Sequence, residues 1–414
     1  MKNLWFAGVI ALTPAFIPYA LAIEQNEASA NDTGIGQQIS DSQESRQGSG
    51  HNSEIPLTAG YDKSGGNGFF IRSEDSQFRL NIGAYTQARY EINWREAPVG
   101  EDDVTKGFSF NRTKLFFQGG FTPLFNYHFR FSLDDEGNTD IMIAFLQYNI
   151  SNKWNLRVGR QYFATTREDW MWGDDIMTTE FSAHDTTFAL GAANGLQAIY
   201  QAGQQRFWFG LSDGSAAAQA AASEEQSDLA LNGRWEYQLS GSDWSVWDDI
   251  IGRKGRSQAV LLGLGGAYQL EKDTSVLDRV AQLNADISFN GDGYQAILAA
   301  SWTRHEPRAG DAYNNYGIFA QGGYFFTAHT QTYAQYNLIS PGDQPGDLET
   351  FHSISAGVNY FPFIWANRWK FSTEIAHMFD TLNKTIVAPS TSLGWLESDE
   401  PGQTYLRLQA QFGF

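Results

Sequence analysis

Residues 405–414 at the carboxyl end of the chain alternate between polar and apolar side chains. The residues of one parity are Leu406, Leu408, Ala410, Phe412 and Phe414. Those of the other parity are Arg407, Gln409, Gln411 and Gly413. Because successive side chains of a β-strand point to opposite faces, this segment predicts a strand with one apolar face and one polar face. Such a strand suits a boundary between lipid and water.

The amino end has the features of a secretory signal peptide over residues 1–22. Lys2 supplies the positive charge, residues 4–12 are mostly apolar, and Ala20-Leu21-Ala22 is a small-x-small cleavage site. No later segment offers the ~18 consecutive apolar residues that a membrane-spanning helix needs. We therefore expect an exported protein and exclude a helical membrane protein.

The composition fits a membrane barrel of strands. The chain contains no cysteine, which excludes disulfides, thiol catalysis and thiolate metal sites. The mean hydropathy of -0.39 is low for a membrane protein. It is acceptable for a barrel, because only alternate residues of each strand face lipid.

Two further domains are predicted after the signal peptide. Residues 23–75 are rich in Ser, Gln, Asn, Gly and acidic residues, and we expect a disordered periplasmic leader there. Residues 76–414 contain about 16 runs of strand character, an even number as bacterial barrels require. The runs are 78–94, 107–121, 126–134, 139–150, 154–162, 195–201, 205–211, 228–239, 258–270, 281–290, 294–305, 316–326, 329–339, 350–361, 368–379 and 404–414.

The lengths of the links between these runs indicate how the barrel is oriented. Most links after even-numbered strands are short, and most links after odd-numbered strands are longer. This alternation is typical of an outer-membrane barrel with short periplasmic turns and longer external loops. The exception is the long link 240–257, which is either an unusual turn or an error in the strand count. We predict an all-β, 16-stranded antiparallel transmembrane barrel, with Phe412 and Phe414 as the signal for the barrel-insertion machinery.

Basic residues recur at lumen-facing positions in the first five predicted strands. They are Arg79, Arg89, Arg112, Lys114, Arg130 and Arg157. Cations that line a narrow pore favour the passage of anions. An alternative is that these residues only keep the water-facing wall of the barrel hydrophilic and pair with neighbouring carboxylates. Both interpretations remain open at the level of sequence.

The longest link, residues 163–190, follows the fifth strand and contains two tryptophans. Long loops without secondary structure are usually functional, and we expect this one to fold into the barrel and narrow the pore. Its charged residues would then influence selectivity, and the candidates are Arg167, Glu168, Asp169, Asp174 and Asp175. In the alternative, the loop points outward and packs on a neighbouring subunit.

Three segments carry a resemblance to a known family: residues 68–73 leading into 78–83, residues 111–119, and residues 144–148 followed by 156–161. They resemble the phosphate-selective porin O and P family of Gram-negative outer membranes. The resemblance implies a homotrimeric, 16-stranded barrel that passes small anions such as phosphate. Arg112, Lys114 and Arg157 match basic positions of the family motifs. The basic residues of the family's constriction loop have no counterpart here except Arg167, which puts phosphate selectivity in doubt.

The predicted function is a passive porin for small hydrophilic solutes, with anions as one candidate class and with no cofactor or metal. The expected partners are outer-membrane lipid, lipopolysaccharide, the permeating solutes, the insertion machinery and two further copies of the chain. One alternative is a barrel esterase or phospholipase, although His352 and Ser353 would point to opposite faces of a strand. Another is a soluble, exported carbohydrate-binding β-protein. Calcium binding by Asp174-Asp175 or Asp248-Asp249 is a weaker alternative, because acidic loops are usually solvated.

Overall fold

The computed structural model describes residues 55–62, 68–96, 98, 100–133, 138–215, 227–364, 366–390 and 393–414. The predicted signal peptide and most of the predicted leader therefore lie outside the described residues. No helix in the described part of the chain has the length and apolar character needed to cross a membrane.

Sixteen strands form a closed antiparallel barrel. The first eight are β3 (Arg79–Trp94), β4 (Val104–Thr122), β5 (Phe125–Leu133), β6 (Thr139–Asn149), β7 (Trp154–Tyr162), β8 (Ala192–Ala202), β9 (Gln205–Ser212) and β10 (Ser227–Ser240). The other eight are β11 (Ala259–Glu271), β12 (Leu277–Gly291), β13 (Tyr294–Pro307), β14 (Tyr313–Phe325), β15 (Thr330–Ser340), β16 (Phe351–Tyr360), β17 (Lys370–Met378) and β18 (Thr404–Gly413). Each strand pairs with the next along the chain, and β18 pairs with β3 to close the sheet. The predicted 16-stranded fold is confirmed, and each predicted run coincides with one of these strands.

The barrel has polar side chains on its inner face and apolar side chains on its outer face, the reverse of a soluble protein. Polar residues such as Gln87, Arg89 and Gln409 point inward and are almost fully buried, whereas Leu408 and Phe412 on the outer face are exposed. An apolar exterior around a polar interior is the arrangement expected of a barrel in lipid. The alternation predicted for the last strand is observed, since Arg407 and Gln411 are buried between outward-facing apolar residues.

Two additional strands correct the prediction of a wholly disordered leader. Strands β1 (Leu57–Asp62) and β2 (Gly68–Ser73) pair with each other, and β2 pairs with residues 79–82 of β3. This hairpin occupies the edge of β3 beyond the end of β18. The ring of Phe69 lies 5.4 Å from the ring of Phe414, edge to face. The apolar residues of two six-residue strands, together with a free strand edge, are enough to order this part of the predicted leader.

The long link 241–258 is an unusual turn, because the strand count on both sides of it is correct. Strands β10 and β11 pair up to Ser240 and Val260, so a far shorter turn could join them. The link begins with a short 3₁₀ helix, Trp244–Trp247, that is capped by Asp243. Another 3₁₀ turn, Leu382–Lys384, lies in the last outer link.

Candidate functional site

Residues 163–191, which we call the plug, lie inside the barrel. Nearly all of them are buried, including Trp170 and Met171. The plug contains one short helix, α1 (Ala183–Phe188), whose amino end is capped by Ser182. Side chains of the barrel wall donate hydrogen bonds of 2.6–3.2 Å to carbonyl groups of the plug, and the donors are Gln87, Arg234, Asn359 and Lys370. These contacts tie the plug to strands of the barrel wall.

Glu180 fastens the plug to the β3–β4 side of the wall. Its carboxylate accepts hydrogen bonds from Arg112, one of them at 3.1 Å, and lies 3.4 Å from Arg89. Burial alone would raise the pKa of Glu180, but the two guanidinium groups lower it to about 2. The carboxylate is therefore ionised at neutral pH, and one negative charge faces two positive charges.

Glu374 on β17, two strands from β3 around the barrel, also fastens the plug. The hydroxyl of Thr179 donates to one carboxylate oxygen at 2.6 Å, and the backbone N–H of Thr179 donates to the other at 3.2 Å. The phenol groups of Tyr333 and Tyr405 also donate to this carboxylate, at 2.8 and 3.0 Å. Four donors thus satisfy a carboxylate that is almost fully buried.

Arg167, the basic residue predicted to act in the loop, is a structural anchor in a buried ionic cluster. It donates to the carbonyl oxygen of Trp247 at 2.6 Å and lies 3.8 Å from Glu236 on β10. Glu236 also pairs with Arg206 at 2.6 Å and with Arg234 at 2.9 Å. Because these groups are engaged with one another, the structure does not place Arg167 on an open solute path.

The acidic candidates of the loop also have structural partners. Glu168 accepts from the Ser182 hydroxyl within the plug. Asp169 accepts from the backbone N–H groups of Thr165 and Gly191, both at 3.2 Å, and so joins the two ends of the plug.

The other two acidic candidates lie at the inner end of the barrel, on the side of the chain's carboxyl end. Asp174 pairs with Arg368 at 2.9 Å, and Asp175 accepts from Asn367 at 3.0 Å. These contacts show that Arg167 and the four carboxylates hold the plug, and their influence on selectivity stays a prediction.

The six predicted basic residues lie on the inner face, but they do not form one cluster. Lys114 on β4 and Arg130 on β5 lie near each other, since Lys114 pairs with Ser132 in the strand register. Arg157 on β7 donates to Gln147 at 2.6 Å, on the same side of the barrel. Arg79 stands apart at the inner end of β3, where it donates to Asn126 at 3.1 Å.

Arg130 and Lys114 differ from the other basic residues in their surroundings. Within the described residues, neither has a carboxylate within the 4 Å of an ion pair. Arg130 instead lies over the ring of Trp172, and its Nε is buried with no hydrogen-bond partner in the described part of the chain. Buried polar groups are nearly always hydrogen-bonded, so an orphaned donor of this kind is a candidate for solute contact.

A small polar cavity lies between the plug and the wall formed by β15–β18. Its lining is mainly hydroxyl, amide and carboxylate groups together with three aromatic rings. The residues that supply them include Thr178, Glu180, Gln335, Ser353, Ser355, Glu374, Trp395 and Tyr405.

One serine–histidine contact bears on the enzyme alternative. Ser301 Oγ lies 2.8 Å from Nε2 of His184, and both residues are buried. The His184 imidazole stacks on the ring of Phe319, and the Ser301 hydroxyl also donates a hydrogen bond to Asn284 Oδ1. Such packing positions the plug and leaves no room for a substrate. His352 instead lies 3.0 Å from Asp380, away from the neighbouring Ser353.

Sequence reasoning did not single out Glu180 or Glu374, and it noted the link 241–258 only for its length. The partners of Glu180 are 68 and 91 residues away in the chain, so no local pattern reports them. The link left a signal in its anomalous length, and its two tryptophans predict burial.

Comparison with known proteins supports the resemblance seen in the sequence. The family described as phosphate-selective porin O and P matches residues 82–240. A search among curated proteins found no match. The family resemblance and the 16-stranded barrel predicted from the sequence are confirmed.

Several solved barrels are similar in fold. An anion-selective porin from Comamonas acidovorans has a TM-score of 0.57 at 15% identity, covering 81% of this chain and 99% of that one. A trimer form of OmpT, an outer-membrane protein of Vibrio cholerae, has a TM-score of 0.55 at 12% identity, covering 80% and 99%. OmpF of Salmonella typhi in complex with daunomycin has a TM-score of 0.52 at 13% identity, covering 81% and 98%. At these identities the likeness concerns the fold.

Proposed function

We propose that this outer-membrane porin is a narrow passive channel with a preference for small anions. The channel needs no cofactor, because solutes cross the barrel down their own gradients. What distinguishes it from a wide general porin is the plug, which occupies much of the interior. Phosphate is one anion that the family match supports, and the anion-selective porin of Comamonas acidovorans has the same barrel architecture.

The observation that carries this proposal is the charge balance on the β3–β5 side of the lumen. One plug carboxylate, Glu180, faces both Arg89 and Arg112. Lys114 and Arg130 add two cations for which the described residues supply no carboxylate within ion-pair distance. An anion that enters here exchanges part of its hydration shell for fixed positive charge. A cation that enters here is repelled by the same fixed positive charge.

Because the plug is acidic, the proposal does not extend to a particular anion. Apart from Arg167, the ionised groups of residues 163–191 are acidic. They are bonded within the plug or to the wall, so they hold the plug more than they face the solute. We therefore propose an anion preference and leave the chemical identity of the anion to measurement.

The test is the reversal potential of the refolded protein in a planar bilayer with a KCl gradient. The wild type is expected to favour chloride. The preference should weaken in Lys114→Gln and disappear in Arg112→Gln/Lys114→Gln, because each change removes positive charge from the lumen. Lys114→Gln removes a lumen charge and leaves the ion pairs of Glu180 intact. It therefore tests the effect of lumen charge on selectivity without loosening the plug.

A matched control is Arg279→Gln/Arg304→Gln, which removes two arginines with exposed side chains near the outer rim. This control is expected to keep the reversal potential of the wild type. Strong potassium preference in the wild type, or no response to the loss of Lys114, would contradict the proposal.

We also propose a homotrimer and a non-enzymatic role. The trimer form of the similar Vibrio cholerae barrel supports the assembly, and chemical crosslinking in detergent tests it. The His184–Ser301 contact is the arrangement that an esterase hypothesis would use. Ser301→Ala should leave any hydrolysis of p-nitrophenyl esters at the level of the buffer, as the wild type does.

A further inference from the structure

The link 241–258, which we call the inner link, does more than join two strands. It lies at the inner end of the barrel, where the short turns between strands and the carboxyl end of the chain are also found. A hairpin needs only about two residues for this connection. Trp247, Ile250 and Ile251 in the link are completely buried. Apolar side chains in a turn that faced only water would remain exposed, so the link has a packing partner.

The inner face of the barrel wall is one such partner. Asn290 on β12 donates to the carbonyl oxygen of Val246 at 2.6 Å. Gln331 on β15 donates to the carbonyl oxygen of Ile251, also at 2.6 Å. The link starts at β10, so these two contacts carry it from its own strand to strands two and five positions further around the barrel. It therefore extends across part of the inner mouth.

The plug is the second partner. Ile250 and Ile176 form a parallel β-bridge, and the backbone N–H of Ile250 donates to the carbonyl oxygen of Asp175 at 2.9 Å. Arg167 of the plug donates to the carbonyl oxygen of Trp247 at 2.6 Å. Two segments that enter the barrel from opposite ends thus meet inside it and share backbone hydrogen bonds.

We propose that the inner link is a second constriction segment, which narrows the inner mouth and holds the tip of the plug in place. The inference rests on the proposed channel function. The cross-section of the pore is then set jointly by an outer loop and an inner turn. Removing the inner link should widen the pore even though the plug itself is unchanged.

The first experiment replaces residues 241–258 by Asp-Gly, the two-residue turn that joins β12 to β13 at positions 292 and 293. Single-channel conductance in KCl is expected to rise several-fold, and larger neutral sugars should pass in liposome-swelling assays. The matched control shortens the exposed outer link 342–348 between β15 and β16, and its conductance should equal that of the wild type. An unchanged conductance in the inner-link variant, with a heat-modifiable barrel band, would overturn the proposal.

A second measurement does not depend on how the shortened chain folds. The chain has no cysteine, so Ile176→Cys/Ile250→Cys introduces the only two thiols. Mild oxidation of the folded, membrane-inserted protein should form an intramolecular disulfide and leave the wild-type conductance. Ile176→Cys/Val276→Cys, whose second position is highly exposed in an outer link, should form none. Failure of the first pair to crosslink in a folded barrel would refute the docked link. A wild type that does not conduct at all would instead refute the channel function.

Discussion

Glu180→Gln is the substitution that most sharply separates the electrostatic role of the plug from its role in filling space. Glutamine has nearly the same shape and keeps one oxygen as an acceptor for Arg112. The change removes a single negative charge from a point that faces two guanidinium groups. The lumen then has one more uncompensated positive charge at its narrow part.

The distances in the structure give the size of the expected effect. At 3.4 Å, the separation of Arg89 and Glu180, two unit charges interact by about 1.2 kcal/mol in the dielectric of bulk water. At an effective dielectric constant of 20 the interaction is about 5 kcal/mol. The weaker limit alone corresponds to about an eightfold change in an equilibrium or a rate. We therefore expect the permeability ratio of chloride to potassium to increase at least several-fold.

The assay is the reversal potential in a KCl gradient, measured at several salt concentrations because salt screens exposed charges. Glu349→Gln is the matched control, since Glu349 has a largely exposed side chain that pairs with Lys384 in the outer links. An unchanged permeability ratio in Glu180→Gln, with a barrel that remains heat-modifiable, would refute the argument that this carboxylate compensates the wall arginines.

Three further predictions concern the plug and the hairpin. Glu374→Gln should loosen the plug and increase open-channel noise, because the hydrogen bonds of Thr179, Tyr333 and Tyr405 lose a charged acceptor; quiet recordings would contradict this. Burial raises the pKa of Asp169 to about 7, so plug docking should weaken as the pH rises from about 4 to 7 and stay weak above it. Noise should then be greater at about pH 8 than at about pH 5, and Asp169→Asn should reduce the difference, since Glu168 and Asp248 titrate in the same range. Deleting the β1–β2 hairpin removes the contact between Phe69 and Phe414, worth roughly 0.5–1.5 kcal/mol, and should lower the temperature at which the barrel band shifts on gels.

The strands could be predicted because their pattern is local. Alternation along Leu406, Leu408 and Phe412 reports which face of β18 meets lipid, and each residue carries that information without reference to the rest of the chain. The same parity rule assigned Arg89 and Arg112 to the lumen, where the structure places them.

The interior of the barrel could not be predicted because its contacts are not local. The position of Glu180 between Arg89 and Arg112 depends on the path of the whole plug through the lumen. Arg167 was expected to influence selectivity, but its bond to Trp247, in a link 80 residues further along, could not be read from the sequence. Strands β1 and β2 were missed because their order depends on the edge of β3, which becomes available only where β18 ends.

The central claim is that the plug lies inside a water-filled barrel and determines how wide the channel is. The most direct test compares single-channel conductance of the wild type with that of a variant in which residues 166–188 are replaced by a short Gly-Ser linker. The account predicts small, discrete conductance steps for the wild type and much larger steps for the variant. Equal conductance in two folded barrels, or no conductance steps in either, would contradict it.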